Sequence, residues 1–195
     1  MTSVALLLLA ISSGYSSVWQ HRQTSDDDAE INHKVLALCS LFIALSAIAQ
    51  LLINNQNGDL YTLRQMLENL AYFAAIPLLA TAAIATSMRK VWSKPAWGRW
   101  LIGLFAFFEL LRRMQYGEQY AQFIAAAAAA LLIFAAVRQD QPHNRPMLWS
   151  GSILIAAGLT LFSQGALLTG MQSTIFFSAC LTAGLPLFVM GNRRV

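Results

Sequence analysis

FFELLRRMQYGEQY, Phe107 to Tyr120, follows a run apolar enough to lie in a membrane, yet it carries Glu109, Arg112, Arg113 and Glu118 within ten positions. An ionisable side chain in hydrocarbon costs roughly 2.5–3.5 kcal/mol on insertion scales, so it faces a partner, a wet cavity or the membrane surface. At ~1.5 Å per residue from Trp100, Glu109 falls about 13 Å in, close to mid-membrane, with Arg112 and Arg113 one turn further out. Glu109 and Arg113 are i, i+4 with the glutamate first, the favoured order for a helical ion pair. Gly117 then ends the pattern, which predicts a tight hairpin between the runs on either side.

Composition gives this stretch its setting. Of the 195 residues 57% are hydrophobic and 11% charged, against roughly 25% charged in a soluble domain, and the mean hydropathy is +0.53. Several runs approach the ~20 apolar residues that cross a bilayer. The expectation is an all-α polytopic membrane protein, a bundle of about seven transmembrane helices forming one domain over residues 1–195. The net charge of +4 fits basic loops at the cytoplasmic face, and no nucleic acid is expected as a partner. Cys39 and Cys180 stand alone in separate runs, so neither a disulfide framework nor zinc chemistry is indicated. His21, His33 and the acids between them read as a solvated helix start, and no metal or cofactor is expected.

Outward from the opening stretch, the preceding loop MRKVWSKPAWGRW interleaves Arg89, Lys90, Lys94 and Arg99 with three tryptophans, the composition of a membrane interface. It leads into the fourth span, from near Trp97. The fifth, about Gln119 to Val137, holds six consecutive alanines, Ala125 to Ala130, which predict a close-packing face. The sixth, about Met147 to Leu168, carries Thr160 and Gln164 near its end. The seventh, about Ser173 to Met190, places Thr174, Ser178 and Thr182 on one face ahead of Pro186.

The first run, Val4 to Trp19, lacks the basic n-region of a signal peptide and reads as a short first helix. Ser25 and Asp28 fit a capping box for the second helix, which enters the membrane near Val35 and carries Ser46, Gln50 and Asn54 on one face. The third span, about Thr62 to Met88, aligns Arg64, Glu68 and Tyr72 at i, i+4, i+8, with Asn69 beside them. Further along, Pro77 leaves the Phe73 carbonyl without a donor and predicts a kink.

With the N-terminus outside, ten of the thirteen basic residues fall on inner connections and only Arg64, Arg112 and Arg113 outside. That asymmetry supports an N-outside, C-inside topology in the cell membrane. Spans one to three and five to seven then run in the same directions. Each triplet ends in a proline-bearing span (IPLL at Pro77, LPLF at Pro186), which allows a parallel 3+1+3 repeat of the kind found in transporters.

Two resemblances stop short. ENLAYFAAIPLL is faintly similar to the third helix of retinal proteins, but Lys34, Lys90 and Lys94 are the only lysines and the seventh span has none for a Schiff base. FELLRRM resembles the first motif of the CAAX-processing protease family, with Glu109 and Arg113 matching its second Glu and its Arg. Phe108 stands where the first Glu belongs, and no later span supplies a histidine.

The candidate site is therefore a polar, outward-facing pocket between the third and fourth helices. Arg64, Glu68, Asn69 and Tyr72 would line one side and Glu109, Arg113 and Tyr116 the other, with Gln50 and Gln164 facing them. In a transporter or binding protein for a small molecule, Glu109 would titrate with its pKa raised by burial. In a non-catalytic subunit or assembly factor with a protein partner, the same charges would form internal ion pairs. An intramembrane enzyme acting on lipid would use Glu68 and Glu109 as an acid/base pair.

Overall fold

A computed structural model describes residues 2–22, 30–53, 58–138, 144–168 and 170–192. The capping box at Ser25 and Asp28, Asn54, and the loop residues Pro142 and His143 lie outside the described residues. Among the described residues there are seven helices: α1 Thr2–Arg22, α2 Glu30–Leu52, α3 Asp59–Ser87, α4 Lys94–Arg113, α5 Gly117–Val137, α6 Arg145–Phe162 and α7 Thr174–Gly191. All but α4 are long and apolar enough to cross a membrane.

The burial pattern of α1 shows which solvent the bundle is built for. Its inward face is Leu6, Leu9, Ser13, Ser16 and Gln20, spaced by three and four residues as one helical stripe. Ser13 is 0% exposed, whereas Leu7 and Leu8 are each 50% exposed. Polar residues inside and leucines outside suit a helix surrounded by lipid, where the bundle interior is the better place for a hydroxyl. Ser13 and Ser16 return their hydrogens to the carbonyls of Leu9 and Ser12, and Ser17 Oγ donates across to Ala37 O of α2 at 2.9 Å.

Six helices pack in cyclic order, α1 on α2, α2 on α3, α3 on α5, α5 on α6, α6 on α7, and α7 back on α1. Small residues set the spacing. The alanine run of α5 turns Ala125, Ala128 and Ala129 inward, as expected of a packing face. Between α6 and α7 the contact is closer still: a Cβ on Gly151 would lie 2.3 Å from Phe188 N, and one on Gly191 2.3 Å from Leu148 N. The sequence carries this as Gly151 and Gly158 on one helix and Gly184 and Gly191 on the other, each pair seven residues apart.

The fourth helix lies outside this cycle, against α3 and α5. It runs the length of the bundle, but Lys94 and Arg99 at one end and Glu109, Arg112 and Arg113 at the other leave too short an apolar stretch to qualify as a span. Seven helices are expected as spans; by length and composition six of them qualify, and the fourth is amphipathic. What seats α4 is an aromatic cluster. Phe108 stacks on Phe73 with centroids 3.7 Å apart, and Tyr120 of α5 meets the edge of Phe107 at 5.5 Å.

Local structure adds detail at two places and changes one expectation. The turn after α4 places Gln115, not Gly117, in the left-handed region at φ 64°, with Tyr116 N–H bonded to Leu111 O and Gln115 N–H to Arg112 O. This is a Schellman C-cap with glutamine where glycine is usual, and Arg89 at φ 55° repeats it after α3. Before Pro77, α3 widens into a π-turn over Ala71–Ala75, which accommodates the missing proline N–H within the helix. And α6 ends at Phe162, short of the expected Leu168, in a second π-turn over Gly158–Phe162.

Candidate functional site

The two π-turns meet. Tyr72, in the first, is 4% exposed, and its hydroxyl lies 2.8 Å from Ser163 Oγ, just beyond the second. Ser163 Oγ donates to Leu159 O, so the Tyr72 hydroxyl donates to Ser163. The Gly165 N–H is then shared between Tyr72 OH at 3.2 Å and Ser163 Oγ at 3.1 Å. This closed network ties α3 to the α6–α7 connection and stops α6 early. Gly165 is required there because a Cβ would lie 2.2 Å from Ala121 O.

Beside this junction is a half-enclosed cavity of about 390 Å³. The wall from α3 contributes Arg64, Glu68 and Tyr72; α2 contributes Ser46 and Gln50; α1 contributes Leu6 and Leu9. The α6–α7 connection supplies Ser163, Gln164, Gln172 and Ser173, and α7 supplies Thr174 and Ser178. These residues end α2 and α6 and begin α1, α3 and α7, so the cavity lies at one end of the bundle, opposite the basic loop of Lys90.

Its charges are already paired. Arg64 Nε donates to Glu68 Oε1 at 2.6 Å, and Arg64 Nη1 to Ile53 O at 2.9 Å, so the guanidinium also caps the end of α2. Gln50 Nε2 donates to Ser46 Oγ at 3.3 Å and Gln172 Nε2 to Gln164 O at 3.3 Å. The wall presents one cation, one anion and several amide and hydroxyl groups, with no net charge.

The expected pocket between the third and fourth helices is corrected. Of the candidate residues, Arg64, Glu68, Tyr72, Gln50 and Gln164 line the cavity; Asn69, Glu109, Arg113 and Tyr116 do not. Glu109 is in the last turns of α4 on the outer surface, its carboxylate bridged by Arg112 at 2.8 and 3.1 Å and by Arg113 at 3.5 Å. The hydrogen bond from Arg112 outweighs burial and, with Arg113, holds this carboxyl below the usual carboxylate range, the opposite of the expected rise; α4 turns its aromatic stripe inward and this face outward. The two carboxyls an acid/base pair would need are thus not on one cavity.

Ser163 escaped sequence reasoning because the chain as far as Leu168 reads as helix, and Gln172 and Ser173 because they fall at the boundary between the sixth and seventh runs, where no periodicity assigns a face. Gly165 and Gly170 within ten residues were the available signal that the helix stops. Among the described residues no cluster of three metal-ligating side chains occurs. No protein-family model, curated protein or solved structure matches the chain.

Proposed function

We propose that this integral membrane protein binds, and carries across the bilayer, a small polar solute that is neutral or zwitterionic, using the cavity between α1, α2, α3 and the α6–α7 connection. The observation that carries this reading is a cavity of about 390 Å³ that gathers one cation, one anion and several amides and hydroxyls, in a bundle whose main core is alanine, leucine and aromatic side chains. Ligand sites run from roughly 300 Å³ upward and set a few convergent polar groups among apolar walls. Polar side chains within membrane helices characteristically mark solute paths. The paired Arg64 and Glu68 disfavour a solute of net charge, which would compete with one partner, and favour one that presents both signs or none.

The cyclic order supports the 3+1+3 arrangement over a single domain: a twofold axis along the membrane normal would exchange the α3–α5 contact with the α7–α1 contact and leave α4 outside both triplets. With the basic end inside, the cavity opens outward in the cell membrane. Attachment of a membrane partner is the second reading, favoured by the Glu109, Arg112 and Arg113 cluster on the outer surface of α4.

A thermal-shift panel of amino acids, polyols and amines against the purified protein, followed by proteoliposome uptake of any stabilising compound, tests the proposal. Glu68→Gln leaves Arg64 unneutralised and should shift preference toward anionic solutes, while Glu109→Gln should leave binding and uptake at the wild-type level. Loss of uptake in Glu109→Gln with full uptake in Glu68→Gln would place the site elsewhere. Impermeant maleimide labelling of Gln172→Cys and Ser93→Cys, in a background lacking Cys39 and Cys180, decides the orientation; only Gln172→Cys should react from outside.

A further inference from the structure

At the opposite end of the bundle from the solute cavity, the first turns of α2 and α4 leave an open groove of about 310 Å³. One wall is Val35 and Leu38 of α2, the other Trp97, Gly98 and Leu101 of α4, and Leu78 of α3 closes the floor. Ile31, Lys34 or Val35, and Leu38 recur at the three- and four-residue spacing of one helical face, as do Lys94, Gly98 and Leu101. Each wall therefore carries one lysine near the mouth, Lys34 one turn inside Ile31 on α2 and Lys94 at the start of the α4 face. Beyond it the α4 wall continues apolar for about 10 Å of helix and the α2 wall for about 6 Å. We infer that this groove is a binding site for an anionic phospholipid, with an acyl chain between α2 and α4 and the phosphate held by Lys34 and Lys94.

Three observations support that occupant. The groove walls are apolar beyond the lysines, so a polar solute has nothing to bind there, and among the described residues no acidic side chain lines the groove. Trp97 is 4% exposed, and its indole N–H has no acceptor among the described residues; a lipid ester or phosphate oxygen would supply one after a small shift of the ring. The groove is also open by construction, since a Cβ on Gly98 would meet nothing within 4 Å. Trp92 packs on Trp97 with ring centroids 4.8 Å apart, an aromatic pair of the kind that sits at headgroup depth. The site is independent of the solute cavity and stands whether or not that cavity carries a solute.

Native mass spectrometry of the full chain released from phosphatidylcholine nanodiscs doped with phosphatidylglycerol tests the site. The wild type should retain one phosphatidylglycerol in preference to phosphatidylcholine. Lys34→Gln and Lys94→Gln should each lower that preference about fivefold, the effect of one basic residue at an anionic surface. Gly98→Leu should fill the groove and abolish retention of either lipid. The share of the fluorescence quenching that Trp97→Phe removes should be larger with brominated phosphatidylglycerol than with brominated phosphatidylcholine, which reads the same contact without altering the groove walls elsewhere. Equal retention of the two lipids by the wild type, or undiminished phosphatidylglycerol in Gly98→Leu, would overturn the inference.

Discussion

Replacing Gly165 by alanine adds one methyl group at the point where the α6–α7 connection crosses α5. That methyl carbon would lie 2.2 Å from Ala121 O, 2.4 Å from Ala121 C and 2.7 Å from Tyr72 OH. Two of the three are backbone atoms of a packed helix and cannot rotate away, so the connection itself must retreat by about 1 Å to restore van der Waals contact, at an overpacking cost of about 2 kcal/mol. The retreat also pulls the Gly165 N–H from Tyr72 and Ser163, which adds about 1 kcal/mol. A loss of about 3 kcal/mol in a chain of this size lowers the unfolding midpoint by roughly 6–12 °C. Gly103→Ala is the control, since a Cβ on Gly103 of α4 meets nothing within 4 Å, and removing the backbone freedom of glycine there should be neutral or stabilising by up to about 1 kcal/mol. Thermal unfolding of the two variants in the same detergent, followed by intrinsic fluorescence, makes the comparison. If Gly165→Ala melts with the wild type, the close crossing of α5 is not a constraint on the fold, and the account of why α6 stops at Phe162 fails with it.

Three further outcomes follow from the same geometry. Tyr72→Phe removes the hydroxyl shared by Ser163 and Gly165 and should destabilise by about 1 kcal/mol; an unchanged midpoint would mean that the network is not formed. Gln115→Gly relieves a left-handed residue at φ 64° and should stabilise by up to about 1 kcal/mol in the same melt, whereas a lower midpoint would argue against the Schellman cap. Cys39 is fully buried and Cys180 only partly so. A small membrane-permeant maleimide should therefore label Cys180 in the folded protein and Cys39 only after denaturation, which peptide mapping of the labelled chain will show.

Much of the architecture was legible in residue order because lipid imposes its requirements locally. Each run of about twenty apolar residues must satisfy its own backbone hydrogen bonds, so it folds as a helix whatever surrounds it, and the alanines of α5 announce their packing face by size alone. The fourth helix was misread for a related reason. Depth counted from Trp100 treats every helix as central, whereas the inward side of α4 is set by Phe108 stacking on Phe73, a contact between residues 35 apart in sequence. With that stripe turned in, Glu109 is turned out. The sixth helix ends early because of Tyr72 on α3 and Ala121 on α5, neither of which its own sequence can display.

By itself the sequence determined that this chain is a bundle of membrane helices, that Arg64 and Glu68 share a helical face, and that one end of the bundle is basic. Only the tertiary structure decided which polar residues meet. It took Glu109 and Arg113 out of the site and put Gln172, Ser173 and Thr174 into it. The physical reason is that periodicity states which side chains lie on the same face of one helix, while a cavity is defined by the faces of several. Those faces are oriented by glycine contacts, aromatic stacks and π-turns between positions far apart in the chain.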